Sequence, residues 1–245
     1  MIRVNCDIGE RGPDHPVDRE LISWIDIANL ACGGHAGDPG SVEAFRRLAD
    51  ARGVLVSAHL SYPDRENFGR RSLDIPVARL LESLEEQYTL LPEVTLVKFH
   101  GALYNDSCRR ADLARDLASW LRGTACRTVI TLPDSPLAEA CRAVEMGVMA
   151  EAFAERRYRT VPGEDRVVLV SRDKPYASIH DLEEATAHAE GIIRRGEVIA
   201  LEEGDPDGEY SRRRTGGLLV DTICIHSDST IALPLAQRLA SLTRE

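Results

Sequence analysis

The stretch VTLVKFH (residues 94–100) decides the fold: it is an apolar, β-branched run that ends in the polar residues Lys98 and His100. A run of this length and composition is typical of a buried strand. Six further runs of this kind recur, each followed by a polar turn and a helical pattern. They are IRVNC (2–6), IANLAC (27–32), VLVSAHL (54–60), TVITL (128–132), GVMAEAF (147–153) and DTICIH (221–226). The alternation predicts repeated βα units around a mostly parallel sheet.

Helical patterns lie between these runs, at 41–52, 75–88, 111–121, 136–145, 181–195 and 231–243. Several begin with Asp or Ser at a position that suits an N-cap. Residues 202–216 show no such pattern and are predicted to form a long solvated loop. Because there are seven strand candidates and no linker, we predict one domain over residues 1–245, an irregular seven-stranded (β/α) barrel. A doubly wound sheet stays open, since the same alternation builds both.

Composition excludes several classes of function. The 245 residues are 43% apolar and 29% charged, and 40 Asp and Glu against 30 Lys and Arg give a net charge of −10. This charge argues against binding to nucleic acid or an anionic membrane surface, but a local basic cluster can still attract a small carboxylate. The six cysteines form no readable disulfide framework, and no run is long enough to span a membrane. We therefore predict a cytoplasmic protein, and a homo-oligomer stays open.

Polar side chains collect at the C-terminal ends of the predicted strands, the edge at which barrels and open α/β sheets build their sites. Three strands end in pairs spaced two residues apart, and such pairs face the same side of a strand. Several polar groups on one buried face indicate a functional site, because each unpaired polar group is costly to bury. The residues at or near these ends are Asn5, Asp7, His35, His59, Lys98, His100, Glu151, His226 and Asp228.

The available residue types limit the chemistry. The chain has no GxxxxGK[ST], GxGxxG or GxSxG motif, which argues against the familiar nucleotide loops and against a serine nucleophile. Asp, His and Lys side chains at one end of a sheet could catalyse the attack of water on an amide as general acids and bases. They could also bind a divalent metal ion that activates the water. For a metal, the candidate ligands are Asp7, His35 and His59, although no local HxxxH or HExxH spacing specifies them.

Six ordered blocks resemble the motifs of the LamB/YcsF family. They are NCDIGE (5–10), ANLACGGHAGDP (28–39), SAHLSYPDRENFGRR (57–71), VKFHGALYN (97–105), EAFAERRY (151–158) and DTICIHSD (221–228). The resemblance implies a barrel of the glycoside hydrolase/deacetylase type. It also implies ATP-dependent opening of 5-oxo-L-proline to L-glutamate, as the A subunit of a 5-oxoprolinase with B and C subunits. ATP would then be bound on the partner subunits, which agrees with the missing nucleotide motif.

The chain departs from the family pattern at a few apolar or small positions. Gly34 stands where an aromatic residue is usual, and Ser57, Phe99 and Ser227 replace other common residues. The polar residues of the blocks are retained. We expect the same chemistry in a reshaped pocket, so another small lactam or amide stays open as the substrate.

The leading hypothesis is a lactam hydrolase subunit, in which Asp7 is the base or a metal ligand. His35 and His59 are ligands or proton-transfer groups, and Lys98 and His100 stabilise the developing oxyanion. Asp228 completes the catalytic set. The residues expected to contact substrate are Asn5, Glu151 and His226, with Arg70 or Arg71 binding its carboxylate.

Two other functions stay open. One is a metal-dependent deacetylase of carbohydrate or another N-acyl substrate, which the barrel type and the Asp/His set suggest. The other is a non-catalytic subunit that binds substrate while the chemistry takes place elsewhere.

Overall fold

A computed structural model of the chain describes residues 1–161, 167–172, 174–201, 212–215 and 217–244. The strands in this part of the chain are β1 (Arg3–Ile8), β2 (Ile27–Ala31), β3 (Leu55–Leu60), β4 (Leu96–Phe99), β5 (Thr128–Thr131), β6 (Gly147–Phe153), β7 (Tyr158–Thr160), β8 (Val167–Leu169), β9 (Val198–Leu201), β10 (Arg212–Thr215) and β11 (Thr222–His226). The helices are α1 (Pro16–Leu21), α2 (Pro39–Asp50), α3 (Val77–Tyr88), α4 (Gly101–Ser107), α5 (Ala111–Arg122), α6 (Pro136–Ala143), α7 (Leu182–Arg195) and α8 (Ala232–Leu242).

Seven parallel strands close into a barrel in the order β1-β11-β6-β5-β4-β3-β2. The first and last strands of the chain complete the closure, in a register that pairs Asp7 with His226. Between β3 and β4 the register pairs His59 with Lys98. The prediction of a seven-stranded (β/α) barrel is confirmed. A doubly wound sheet is wrong, because such a sheet keeps two open edges that this one lacks.

Side-chain alternation separates an apolar outer layer of the barrel from a polar interior. Cys6 and Phe99 are fully buried in the main hydrophobic core. Asn5, Asp7 and Lys98 point the other way and contact one another inside the barrel. Toward the N-terminal ends of the strands, the interior holds a small apolar cluster of Ile27, Leu96 and Ile130. The polar groups therefore lie on an apolar base and open toward the other end.

A four-stranded sheet in the order β10-β9-β7-β8 lies between β6 and β11 in the chain. The prediction of a solvated loop over residues 202–216 is wrong for Arg212–Thr215, because these residues form β10 and pair antiparallel with β9. Residues 202–211 and 216 lie outside the described residues. Leu169 at the end of β8 and the following Ser171 and Arg172 line the large cavity described below. This insertion therefore supplies one wall of that cavity.

All six predicted helices form, and their ends lie within two residues of the predicted bounds. Helix α2 begins at Pro39 because the Asp38 side chain accepts a hydrogen bond from Ser41 N at 2.8 Å. Asp38, one of the retained polar residues, is thus a helix cap. Two short helices, α1 and α4, were not predicted. Within the described ranges, none of the helices has the length and apolar character needed to span a membrane.

Candidate active site

A cavity of about 530 Å³ opens at the C-terminal ends of the barrel strands. Asn5 and Glu151 do not line it, because both are fully buried one layer deeper in the barrel. Asp228 lines an adjoining cavity of about 110 Å³. The predicted residues that line the large cavity are Asp7, His59, Arg70, Arg71, Lys98, His100 and His226.

Asp7 ends β1 and lies at the centre of the mouth. Its Oδ1 accepts hydrogen bonds from Lys98 Nζ at 3.1 Å and from Asn29 Nδ2 at 3.0 Å, and its Oδ2 lies 3.3 Å from His59 Nε2. Burial alone would raise the pKa of Asp7, but the neighbouring His59 and Lys98 outweigh burial and hold this pKa well below its usual value. The carboxylate is therefore ionised at neutral pH and can accept a proton.

Lys98 lies beneath Asp7 and is 2% exposed. Its Nζ lies 2.9 Å from Glu151 Oε1, 3.2 Å from Asn5 Oδ1 and 3.0 Å from Cys224 Sγ. Burial alone would lower the pKa of Lys98, but the nearby charges, led by Asp7, raise it well above the usual value. The ammonium thus stays charged and its donors are directed at the groups around it. Glu151 holds this ammonium from below, at a depth that a ligand in the cavity does not reach.

Glu10 and three histidines form a compact cluster beside Asp7. The ring of His35 stacks on that of His100 with 3.6 Å between centroids, and the ring of His59 stands edge-on to His100 at 4.9 Å. Glu10 Oε1 lies 2.9 Å from His35 Nε2 and 3.5 Å from His100 Nδ1. Burial raises the pKa of Glu10 to about 8 and lowers the pKa values of His35 and His100 well below their usual value.

The three residues predicted as metal ligands fall into two neighbouring groups of potential ligands. One potential ligand atom from each member of the Glu10 cluster lies within 4.8 Å of the others, so His35 and His59 are joined by Glu10 and His100. Asp7 belongs to a separate group with Cys224 and His226. Asp7 Oδ1 accepts from Lys98 Nζ, while Asp7 Oδ2 lies 3.3 Å from His59 Nε2, so the two groups are neighbours.

His226 and Glu155 form a second pair at the rim. Glu155 Oε1 accepts a hydrogen bond from the His226 backbone N at 2.6 Å and lies 2.8 Å from His226 Nδ1. The ring of His226 stacks on Phe153, and its Nε2 lies 4.0 Å from Asp7 Oδ2. Burial raises the pKa of Glu155 to about 7. Asp228 lies apart from this pair, since it is half-exposed and binds Arg70 at 2.8 Å.

Changing Glu155 to Gln is expected to alter the pH dependence of stability. The folded chain holds the Glu155 proton more tightly than the unfolded chain, so the stability from this group is full below its ordinary pKa of 4.5 and is lost as the pH rises through about 7. The Gln variant lacks this loss. Its free energy of unfolding, measured by urea titration, should gain roughly 2 to 3 kcal/mol on the parent between about pH 5 and pH 8. The exposed Glu66→Gln variant is the control, and parallel curves for parent and Glu155→Gln would contradict the expectation.

Five residues of the site were missed by sequence reasoning: Glu10, Asn29, Glu155, Arg156 and Arg172. Asn29 had a signal, because it is a polar residue inside the apolar run IANLAC. Glu10 and Glu155 belong to two of the six family-like sequence blocks, but both lie in loops that follow a strand. In a loop the alternation of a strand no longer indicates which way a side chain points. The two arginines line the cavity from the segments around the inserted sheet, which was not predicted.

The departures from the family pattern lie mostly outside the cavity. A Cβ atom at Gly34 would stand 2.4 Å from both Gln87 Oε1 and Ser61 Oγ, so these two side chains occupy the space beside the glycine. Ser57 and Ser227 are buried and do not line the cavity, whereas Phe99 does. Of the four residues, only Phe99 belongs to the cavity lining, and its side chain packs into the hydrophobic core outside the barrel.

Comparisons with known proteins agree with this geometry. The sequence profile of the LamB/YcsF family matches residues 2–245. A protein named as the A subunit of 5-oxoprolinase, from Paracidovorax citrulli (strain AAC00-1), is 37% identical over 259 residues, which cover 100% of this chain and 96% of the relative. A protein of the same name from Bordetella pertussis (strain Tohama I) is 35% identical over 247 residues, which cover 96% of this chain and 92% of the relative. A crystal structure of a lactam utilization protein from Thermus thermophilus is 32% identical, with a TM-score of 0.76 and coverage of 100% of this chain and 95% of that one.

Proposed function

Since the chain belongs to the LamB/YcsF family, we propose that it is the A subunit of a 5-oxoprolinase, which opens 5-oxo-L-proline to L-glutamate. The observation that carries this proposal is the ionised Asp7 at the mouth of a cavity with arginines along its wall. A base at a substrate-sized cavity supports hydrolysis, and the arginines support a substrate with a carboxylate. The relatives named as 5-oxoprolinase A subunits support the lactam.

The cavity suits a small anionic lactam. Its volume of about 530 Å³ is in the range of small-molecule sites. Arg70 is already paired with Asp228, and Arg156 donates to two backbone carbonyls. We therefore assign the substrate carboxylate to Arg71, with Arg172 on the wall formed by the inserted sheet. A guanidinium can bind both oxygens of a carboxylate at once, which fixes the orientation of the ring.

The proposed reaction places water between Asp7 and the lactam carbonyl. Asp7 accepts a proton from the water, whose oxygen bonds to the carbonyl carbon. The carbon–nitrogen bond of the ring then breaks and the nitrogen takes up a proton, which leaves glutamate. Asp7, which took a proton from the water, can return it to this nitrogen, so the water supplies both the hydroxyl and the proton. Lys98 acts as a positioning residue, because its charge keeps Asp7 ionised.

ATP enters through partner subunits in this proposal. An amide is a poor electrophile, and transfer of the terminal phosphoryl group of ATP to its oxygen, which leaves ADP, makes the carbon easier for water to attack. The phosphate leaves as inorganic phosphate when the attacked carbon becomes the side-chain carboxylate of glutamate. The chain carries none of the familiar nucleotide-binding motifs, so we assign ATP binding and activation to the B and C subunits. The relatives are named as one lettered subunit, which agrees with a multisubunit enzyme. We place the complex in the cytoplasm, which suits the buried free cysteines.

A metal-dependent deacetylase is the second candidate. The observation that favours it is the Glu10 cluster, whose four potential ligands lie beside Asp7. Such an enzyme would release acetate or another acid from an N-acyl substrate and would need no ATP. A non-catalytic subunit is the third reading, and it would bind 5-oxo-L-proline without Asp7 being needed for turnover.

The test is glutamate release from 5-oxo-L-proline by the chain mixed with B and C subunits encoded in the same genome. We expect release that requires ATP and all three subunits. Mixtures without ATP or without this chain are the controls. Release by B and C alone would overturn the assignment of the hydrolytic step. Acetate release from N-acetylated sugars, without ATP, would favour the deacetylase instead.

A further inference from the structure

We propose that Glu10, His35, His59 and His100 together bind one divalent transition-metal ion, with zinc as the best match. Binding of the ion does not depend on the substrate, and only its use in catalysis rests on the proposed function. The inference starts from the hydrogen bonds that fix the two inner imidazole rings.

The outer nitrogens of His59 and His100 are committed to backbone carbonyls. His59 Nδ1 lies 3.2 Å from Lys98 O, and His100 Nε2 lies 3.0 Å from Phe68 O. A carbonyl oxygen only accepts hydrogen bonds, so each of these nitrogens carries the ring hydrogen. In the neutral rings, the lone pairs are then on His59 Nε2 and His100 Nδ1. Metal-binding histidines typically donate their other N–H to a carbonyl or carboxylate in this way.

The two lone pairs point at each other. His59 Nε2 and His100 Nδ1 are 3.0 Å apart, and both side chains are almost fully buried. Two acceptors at this distance repel unless a positive charge lies between them. Either a shared proton or a metal ion can supply that charge.

Glu10 and His35 favour the metal ion over the shared proton. A shared proton needs only two acceptors, yet two more potential ligands face the same point. His35 Nε2 lies 2.9 Å from Glu10 Oε1, which is 3.5 Å from His100 Nδ1. Ligand atoms bound at 2.0 to 2.1 Å to a tetrahedral zinc ion stand roughly 3.4 Å apart. The separations of 2.9, 3.0 and 3.5 Å lie near this value, and all four potential ligand atoms lie within 4.8 Å of one another.

Close packing holds the imidazole rings in place. His35 stacks flat on His100, and Phe68 stands edge-on to both rings. Gly69, with φ of 62°, allows this approach, because a Cβ there would lie 2.9 Å from the Cβ of His35. Because the lone pair of an imidazole nitrogen lies in the ring plane, two parallel rings cannot both direct a lone pair at one ion, and one of them must turn about its Cβ–Cγ bond when the ion binds. Nitrogen and carboxylate ligands together suit zinc and its neighbours in the first transition row.

The neighbouring group of Asp7, Cys224 and His226 does not fit a cation. Lys98 Nζ lies 3.1 Å from Asp7 Oδ1 and 3.0 Å from Cys224 Sγ. The ammonium already supplies the positive charge at these two atoms, and a metal ion there would be repelled. The Glu10 cluster lies on the other side of Asp7. When bound there, a metal ion would lower the pKa of a coordinated water beside the Asp7 carboxylate.

The test is metal binding to the untagged chain, measured without substrate. We expect about one equivalent of zinc per chain after dialysis, by elemental analysis. Cobalt(II) should bind at the same place with the absorption spectrum of a low-symmetry site, and zinc should raise the thermal unfolding temperature. His59→Gln and Glu10→Gln should each weaken zinc affinity by at least about 100-fold in competition with a chromophoric chelator, since loss of even an outer contact costs 10- to 100-fold.

Matched controls separate loss of a ligand from loss of the fold. His188→Gln removes a buried histidine of α7, and Glu155→Gln removes a buried carboxylate at the rim, both outside the cluster. Both should bind zinc like the parent, and circular dichroism reports the fold of every variant. A folded parent that retains no zinc and gains no stability from it would overturn the proposal in favour of a shared proton. Unchanged affinity in His59→Gln and Glu10→Gln would do so too. Zinc binding without glutamate release would instead leave the site standing and contradict the proposed function.

Discussion

The Asp7→Asn variant is expected to lose glutamate release almost entirely while it keeps its fold. Asn retains an oxygen that can accept from Lys98 and Asn29, so the hydrogen bonds beneath the site survive. It cannot accept the proton of water as an ionised carboxylate does. Loss of a general base usually costs about 10² to 10⁴ in rate, and we expect a fall within this range in the rate of glutamate release by the assembled enzyme.

Asp38→Asn is the matched control for this variant. Asp38 caps α2 at the surface, and Asn caps helices about as well as Asp. The control should release glutamate at the parent rate. Thermal unfolding and co-purification with the partner subunits report whether each variant folds and assembles. Parent-like turnover by a folded, assembled Asp7→Asn variant would remove Asp7 from the role of base.

The Lys98→Met variant is expected to be strongly destabilised. Methionine has a similar length but leaves Asp7 and Glu151 as buried carboxylates without the ammonium that lies 3.1 and 2.9 Å from them. Removal of one partner from a buried ion pair typically costs 3 to 5 kcal/mol, because the remaining charge stays uncompensated. We expect a loss of about this size in the free energy of unfolding, measured with urea.

A double variant keeps this expectation testable if the single variant fails to fold. Lys98→Met with Glu151→Gln removes one of the uncompensated charges, so it should recover part of the lost stability. The exposed Arg115→Met variant is the control for loss of a cationic side chain, and a surface change of this kind should cost within about 0.5 kcal/mol. A loss below about 1 kcal/mol in Lys98→Met, or no recovery in the double variant, would show that the ion pair contributes little.

The barrel could be predicted because its strands are apolar runs that alternate with helices. The inserted sheet could not. Strands β7 and β8 have three residues each, which is too short for a period-two pattern to stand out. Strand β10 reads RRRT and contains no apolar residue. Its pairing with β9 comes from tertiary contact, which local sequence does not encode.

The sequence predicts which face of a strand the site residues share, but it does not predict how deep in the barrel each residue lies. Alternation places Asn5 with Asp7 and Lys98 with His100, as the sequence indicates. Residues two apart on a strand are separated by roughly 6.6 Å along it. Asp7 and His100 therefore lie at the mouth, Lys98 lines the floor of the cavity beneath Asp7, and Asn5 lies below the cavity. The sequence offers no measure of this depth, which is why Glu151 was expected to contact substrate.

The most direct test of the central claim is a crystal structure of the chain, alone or in its complex, with 5-oxo-L-proline bound. The expected result is a lactam ring at the barrel mouth, with its carbonyl carbon within about 3 to 5 Å of Asp7 Oδ2 and its carboxylate on Arg71. A ring bound elsewhere, or one that turns its carbonyl away from Asp7, would contradict lactam opening at this site.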